Sequence, residues 1–228
     1  MTVFQSLDTW SDAMTTQTKP SGHRSSARKF FVMGDDVRGG GKGHGVRMEN
    51  EDALKYPGFI VFVRAPQPGF SYFTEKPRLI YDKRAGRMPR DLESYAGYWL
   101  VSERMRQVLE DVDAEGFAFA ECSFILPDGS TGPQYYLCDI VRTLDALDEN
   151  ASKVLVQIDK DHDTGEEFRI YCIISTTKLV FREDIVGSSY IFRQVRLATG
   201  GGVICDAALR AACKAAGLTG IQFEDFNF

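Results

Sequence analysis

Apolar positions along the chain change period from place to place. Short runs of continuous or alternating apolar residues, which mark strands, dominate. They are "KFFVM" (29–33), "RLIYD" (78–82), "YWLV" (98–101), "FAFAECSFIL" (117–126), "YYLCDIV" (135–141), "KVLVQID" (153–159), "FRIYCII" (168–174), "KLVF" (178–181), "YIFRQVRL" (190–197) and "GIQF" (220–223). "FIVFVR" (59–64), bounded by Pro57–Gly58 and Pro66, is expected to be a buried strand. "RMPRDLESYAG" (87–97) reads as a turn and a short helical piece. Helical period appears twice. In "SERMRQVLEDVDAEG" (102–116), Met105, Val108, Leu109 and Val112 fall at i, i+3, i+4 and i+7, with Ser102 as the N-cap and Gly116 as the stop. Near the end, Asp206 caps a helix whose Leu209, Ala212, Cys213 and Ala216 share a face, and Gly217 ends it.

The two helical units echo each other. Each runs from an apolar strand through an amphipathic helix and a glycine to a second strand, as in "LVSERMRQVLEDVDAEGFAF" and "VICDAALRAACKAAGLTGIQF". Nothing between them repeats, so they read as two similar connections rather than a duplication. "PDGSTGP" (127–133) supplies turn residues between two strands, a hairpin-like pair, and "KDHDTGEE" (160–167) joins another strand pair. Strands outnumber helices and come in consecutive pairs. The expected fold class is therefore α+β, a largely antiparallel mixed sheet with two amphipathic helices (about 102–114 and 206–216) packed on it.

Composition adjusts this picture only modestly. The 228 residues are 43% hydrophobic and 26% charged, ordinary for a globular protein. Residues 1–28, rich in Ser, Thr and Gln, read as a flexible leader before a domain over 29–228. Charge is uneven: residues 1–100 carry 15 basic against 11 acidic side chains, and residues 101–228 carry 12 against 21. The second half is a poor match for nucleic acid and a good one for a basic partner. The five cysteines form no C-x-x-C pair and sit in apolar runs, as buried thiols of a reducing compartment do. No run reaches the length of a membrane span and no signal peptide opens the chain, so the expected location is the cytoplasm.

Four features could carry chemistry. "MGDDVRGGGKGHGVRM" (33–48) has the glycines and lysine of a phosphate loop. Lys42 is followed by Gly43 rather than Ser or Thr, and Asp36 stands five residues before Gly41, so the Walker A register fails. Gly41, Gly43 and Gly45 also miss the dinucleotide spacing. The alternative function, a small phosphate- or nucleotide-binding enzyme using residues 39–45, would recruit Asp145 and Asp148 of "TLDALDENAS" (143–152) as paired carboxylates; "DEN" is equally a turn signal. Asp159, Asp161 and Asp163 alternate like the first ligands of a calcium loop, but its sixth and twelfth positions hold Thr164 and Ile170. The better reading is an acidic hairpin tip, Asp159, Asp161, Asp163, Glu166 and Glu167, that suits a basic partner. His23, His44 and His162 fall in loop segments without zinc spacing, and no cofactor, metal or catalytic residue is expected.

The segments "YWLVSERMRQVLEDV", "YYLCDIVRTLDALDENAS", "YIFRQVR" and "VICDAALRAACKAAGLTGIQF", in this order over roughly residues 77–226, resemble immunity protein family eleven of bacteria. The last helix departs mildly, with Cys205–Asp206 where that family often has Ser–Glu. The resemblance implies a non-enzymatic cytoplasmic protein that binds and neutralises a cognate toxin or effector domain encoded by a neighbouring gene. It implies neither nucleic acid nor membrane as a partner. The acidic tip is the expected contact, since charge complementarity both attracts a basic toxin and speeds encounter.

Overall fold

The computed structural model describes residues 28–38, 43–161, 164–174, 176–198 and 202–225. In chain order the elements are β1 (Phe30–Asp35), β2 (Val46–Met48), β3 (Arg78–Tyr81), β4 (Leu92–Tyr95), β5 (Tyr98–Ser102), α1 (Glu103–Asp113), β6 (Phe117–Ile125), β7 (Tyr135–Ile140), β8 (Thr143–Leu144), β9 (Leu155–Lys160), β10 (Glu167–Cys172), α2 (Glu183–Val186), β11 (Ile191–Gln194), β12 (Val203–Asp206), α3 (Ala207–Ala215) and β13 (Ile221–Glu224). The fold is α+β with mainly antiparallel pairing. The strands divide into a six-stranded sheet of order β2-β3-β6-β7-β5-β4, a five-stranded sheet of order β13-β1-β12-β11-β8, and the ribbon β9-β10. The parallel pairs are β3 with β6 and β8 with β11.

Period-two alternation builds three apolar layers from these two sheets. Phe31 and Met33 of β1, Trp99 and Val101 of β5, and Cys205 of β12 point inward, where they meet Met105 and Leu109 of α1 and Leu209 and Cys213 of α3. Their neighbours Phe30, Val32 and Ile204 face the outer side of the five-stranded sheet, under Leu147, Tyr171, Leu179 and Phe181. Tyr98 and Leu100 face the outer side of the six-stranded sheet, under Leu54 and Phe62. Both helices thus lie in the central layer. Burying each large side chain there contributes roughly 1.5–3 kcal/mol relative to leaving it exposed.

Both predicted caps form. Ser102 Oγ accepts from Met105 N, and Asp206 accepts from Ala208 N and Leu209 N. Gly217, at φ +62°, turns the chain out of α3. The helix α1 closes at Asp113 and passes through a short 3-10 turn, Ala114–Gly116, rather than stopping at Gly116 itself.

Three expectations need correction. "FIVFVR" is not a strand: Phe59, Ile60 and Val61 are exposed and only Phe62 is buried. No sheet edge receives it, because it runs across the outer layer of the six-stranded sheet. "RMPRDLESYAG" holds no helical piece. Its second half is β4, paired with β5 through a two-residue turn in which Ala96 and Gly97 both have positive φ (52° and 84°), the twist a tight hairpin needs. "KLVF" forms only isolated bridges, Lys153 to Lys178 and Leu147 to Phe181. The leader anticipated over 1–28 lies outside the described residues except for Arg28. That residue is tied down, donating to Gly187 O, Ser189 O and Asp206 Oδ2.

Candidate functional site

The acidic tip belongs to the ribbon. Strands β9 and β10 pair from Glu167 with Lys160 to Cys172 with Leu155. At the foot, Val156 and Tyr171 pack into the outer layer of the five-stranded sheet. Beyond them the ribbon leaves the core, and Asp159, Asp161, Glu166 and Glu167 are all exposed. The turn is built by its own acids. Asp161 Oδ1 accepts from Thr164 N at 2.8 Å, Gly165 N donates to Asp161 O at 2.8 Å, and Gly165 sits at φ +74°. Asp163 and His162 lie outside the described residues.

Pairing register separates the acids. Residues opposite each other in an antiparallel pair share a face. Glu167 therefore stands beside Lys160, with which it forms a 3.2 Å ion pair, while Asp159 stands on the other face opposite Phe168. The Lys160–Glu167 pair is exposed and contributes little to stability. The tip presents negative charge in several directions, Glu167 on one face of the ribbon and Asp159 on the other. Ile158 (65% exposed) and Leu155 (45% exposed) add apolar surface to the same ribbon.

Asp145 and Asp148 do come together, in a cleft of about 500 Å³ at the ribbon foot that also receives Glu149, Arg169, Tyr171 and Arg182. Their hydrogen bonds are structural. Asp148 Oδ1 accepts from Asn150 N and Ala151 N and closes the turn. Asp145 Oδ1 accepts from Gln194 Nε2 at 3.3 Å. Glu149 takes the Tyr171 hydroxyl and an Arg169 guanidinium at 3.1 Å. Burial first, and the adjacent Glu149 carboxylate second, push the Tyr171 phenol up to about 12. Backbone, amide and guanidinium donors hold the cleft's carboxylates in place.

Residues 39–42 of the glycine stretch lie outside the described residues. Val46 opens strand β2 rather than a helix. Gly45 is glycine for packing reasons: a Cβ there would stand 2.3 Å from Asp82 O and 2.8 Å from Gly86 N. Nδ1 of His44 accepts from Val46 N at 3.3 Å, and the ring stacks on Tyr95 at 6.0 Å. With Nδ1 accepting, Nε2 carries the hydrogen that reaches Ser94 O at 3.3 Å.

Two buried charge clusters went unread in the sequence. Asp139, wholly buried in β7, accepts from Arg64 Nε at 2.6 Å, Arg193 Nη2 at 3.4 Å and Gly69 N at 2.9 Å. It joins the 64–69 loop, β7 and β11. Glu93 in β4 pairs with Arg87 and, at 3.0 Å, with Arg90. Burial works to raise the Glu93 carboxyl, but the two guanidiniums and the Arg90 N–H outweigh it and hold it at about 2. An acid inside an apolar run, as in "YYLCDIV", is the signal that could have found the first, since a buried charge needs a partner. Both clusters are scaffolding.

Free thiols match the reading of the cysteines as core residues: Cys122, Cys138, Cys205 and Cys213 are buried, and Cys172 is half-buried. Among the described residues no helix is long and apolar enough to cross a membrane. No curated protein sequence matches the chain. The profile of the immunity protein family (Imm11) matches residues 29–227, nearly the whole chain and well beyond the 77–226 span of the motifs. The chain belongs to the immunity protein family (Imm11).

Proposed function

We propose that this protein neutralises a cognate antibacterial toxin, encoded by a neighbouring gene, by binding it in the cytoplasm, with residues 29–228 acting as one domain and without catalysis of its own. The family match over 29–227 carries the reading. The exposed acidic ribbon supports it. A turn that keeps Asp159, Asp161, Glu166 and Glu167 in solvent supplies the negative field that attracts a basic surface and raises the association rate. Asp163 completes the proposed set.

The test is co-expression of the neighbouring gene product with and without this protein, followed by measurement of affinity on the purified pair. Rescue of growth and a stable complex are expected. Replacing Asp159, Asp161, Asp163, Glu166 and Glu167 by Ser should lower the association rate and flatten its salt dependence. An unchanged rate and salt dependence would remove the ribbon tip from the interface. A toxin that remains lethal, with no complex formed, would end the proposal.

A further inference from the structure

The segment that departs furthest from its sequence pattern is "PGFIV", Pro57–Val61. Ile60 is 88% exposed, Val61 55% and Phe59 38%, three consecutive apolar side chains in water. From Tyr56 to Val63 there is no charged residue.

The loop is held rigidly in this exposed position. Phe59 N donates to Tyr56 O at 2.9 Å across Pro57–Gly58, and Gly58 at φ +88° completes a type II turn. The Tyr56 ring meets Phe59 edge-on at 5.5 Å and Tyr72 at 5.2 Å. On the other side Phe62 turns inward against Tyr98 and Phe73, at 6.0 and 6.3 Å. Arg64 N then bonds Ala96 O at 2.8 Å while its guanidinium is clamped by Asp139. A chain pinned at both ends has already lost the entropy that ordering on binding would cost.

We propose that the Pro57–Val61 loop is an apolar anchor that inserts Ile60 and Val61 into an apolar cleft of the toxin. The proposal rests on the toxin-binding reading and adds to it a contact made by burial rather than charge. Three observations select that occupant. The exposed apolar area is on the order of 300 Å², the size of the largest patch on many monomers, which is often a functional one. It is well short of the roughly 800 Å² per partner of a stable interface, so it cannot alone hold two copies together. An anionic membrane would call for Lys or Arg turned to the lipid beside the apolar tip, whereas the two that flank it, Lys55 and Arg64, are paired with Asp52 and Asp139 at 2.6 Å each. A small, preorganised apolar insertion is one form a hot spot takes between two proteins.

The loop lies on the outer layer of the six-stranded sheet and the ribbon on that of the five-stranded sheet, so the two contributions can be measured apart. The experiment titrates the purified neighbouring gene product against wild type, Ile60→Asp/Val61→Ser and the ribbon variant, with thermal unfolding as a folding control. The loop variant should keep its melting temperature, because the replaced side chains touch mostly water, and bind at least tenfold more weakly through faster dissociation. Equal affinity of the loop variant and a binding wild type would overturn the anchor while leaving the toxin reading intact. A wild type that does not bind at all overturns both. Loss of a dimer on substitution, seen by sedimentation, would make the occupant a second copy and overturn the proposal.

Discussion

Asp139→Asn keeps the shape of a buried side chain and removes its charge. The carboxylate has no exposure and sits between two guanidiniums, Arg64 at 2.6 and 3.2 Å and Arg193 at 3.4 Å, with Gly69 N at 2.9 Å. An asparagine offers one oxygen and turns an NH₂ donor towards a guanidinium. Two positive charges then face each other across the inter-sheet region. Breaking a buried ion pair from one side costs about 3–5 kcal/mol. The Arg64 side chain is 22% exposed, so water takes up part of that charge and a loss of about 3 kcal/mol is the reasonable figure. For a chain of this length that is a fall of roughly 6–12 °C in melting temperature. Urea unfolding and thermal melts measure it. Burial, and then the Arg64 charge, already push the Arg193 guanidinium below its usual value. Adding Arg193→Met should therefore recover part of the loss, leaving the pair less damaging than the two single changes summed. A loss below about 1 kcal/mol, or strict additivity, would show that the cluster is not an electrostatic clamp.

Three further outcomes are expected. Asp206→Ala removes two cap bonds at the start of α3 and the 2.9 Å pair with Arg28, and should cost about 1–2 kcal/mol in urea unfolding, with Asp206→Ser recovering about half. The Glu93 carboxyl stands at about 2 in the folded chain against 4.5 when free. Its stabilisation is therefore complete above about pH 4.5 and is lost as pH falls towards 2; Glu93→Gln should be less stable than wild type at pH 7 by up to about 3 kcal/mol, less what solvent screens at half-exposed Arg87, and the gap should close on acidification. Burial pushes the Cys122 and Cys213 thiols up to about 12 and those of Cys138 and Cys205 well above the usual value, so a maleimide probe should label Cys172 alone in the native protein and all five thiols in urea, as read by mass spectrometry.

What the sequence disclosed follows the range of the interactions involved. Both helix caps were legible because a cap is a local bond: Ser102 reaches Met105 and Asp206 reaches Leu209, three residues on. Hairpins were legible for the same reason. Burial was not, because it depends on what lies opposite. "FIVFVR" has the composition of a core strand, yet it pairs with no sheet edge, and the loop crosses the outer layer with Phe62 alone buried. "DLES" hides strand β4 because its buried residues are Leu92 on one face and a salt-bridged Glu93 on the other. Only the partners Arg87 and Arg90 make that glutamate a core residue. Of the candidate site, the acids and their place on a hairpin were readable. That Asp159 and Glu167 leave opposite faces of the ribbon was not, since it follows from the pairing register. Asp145 and Asp148 were correctly grouped, but the hydrogen bonds that commit them to the turn come from Asn150, Ala151 and a strand 49 residues downstream.

The most direct test of neutralisation by binding is a titration of toxin activity. Purified neighbouring gene product at fixed concentration, well above the dissociation constant, is assayed against increasing amounts of this protein. A binding inhibitor predicts a linear fall in activity to zero at a fixed molar ratio, with the toxin recovered unmodified and active after the complex is dissociated. Loss of activity at a small fraction of that ratio, or a toxin that stays inactive and changed in mass after separation, would contradict the account and make the protein an enzyme.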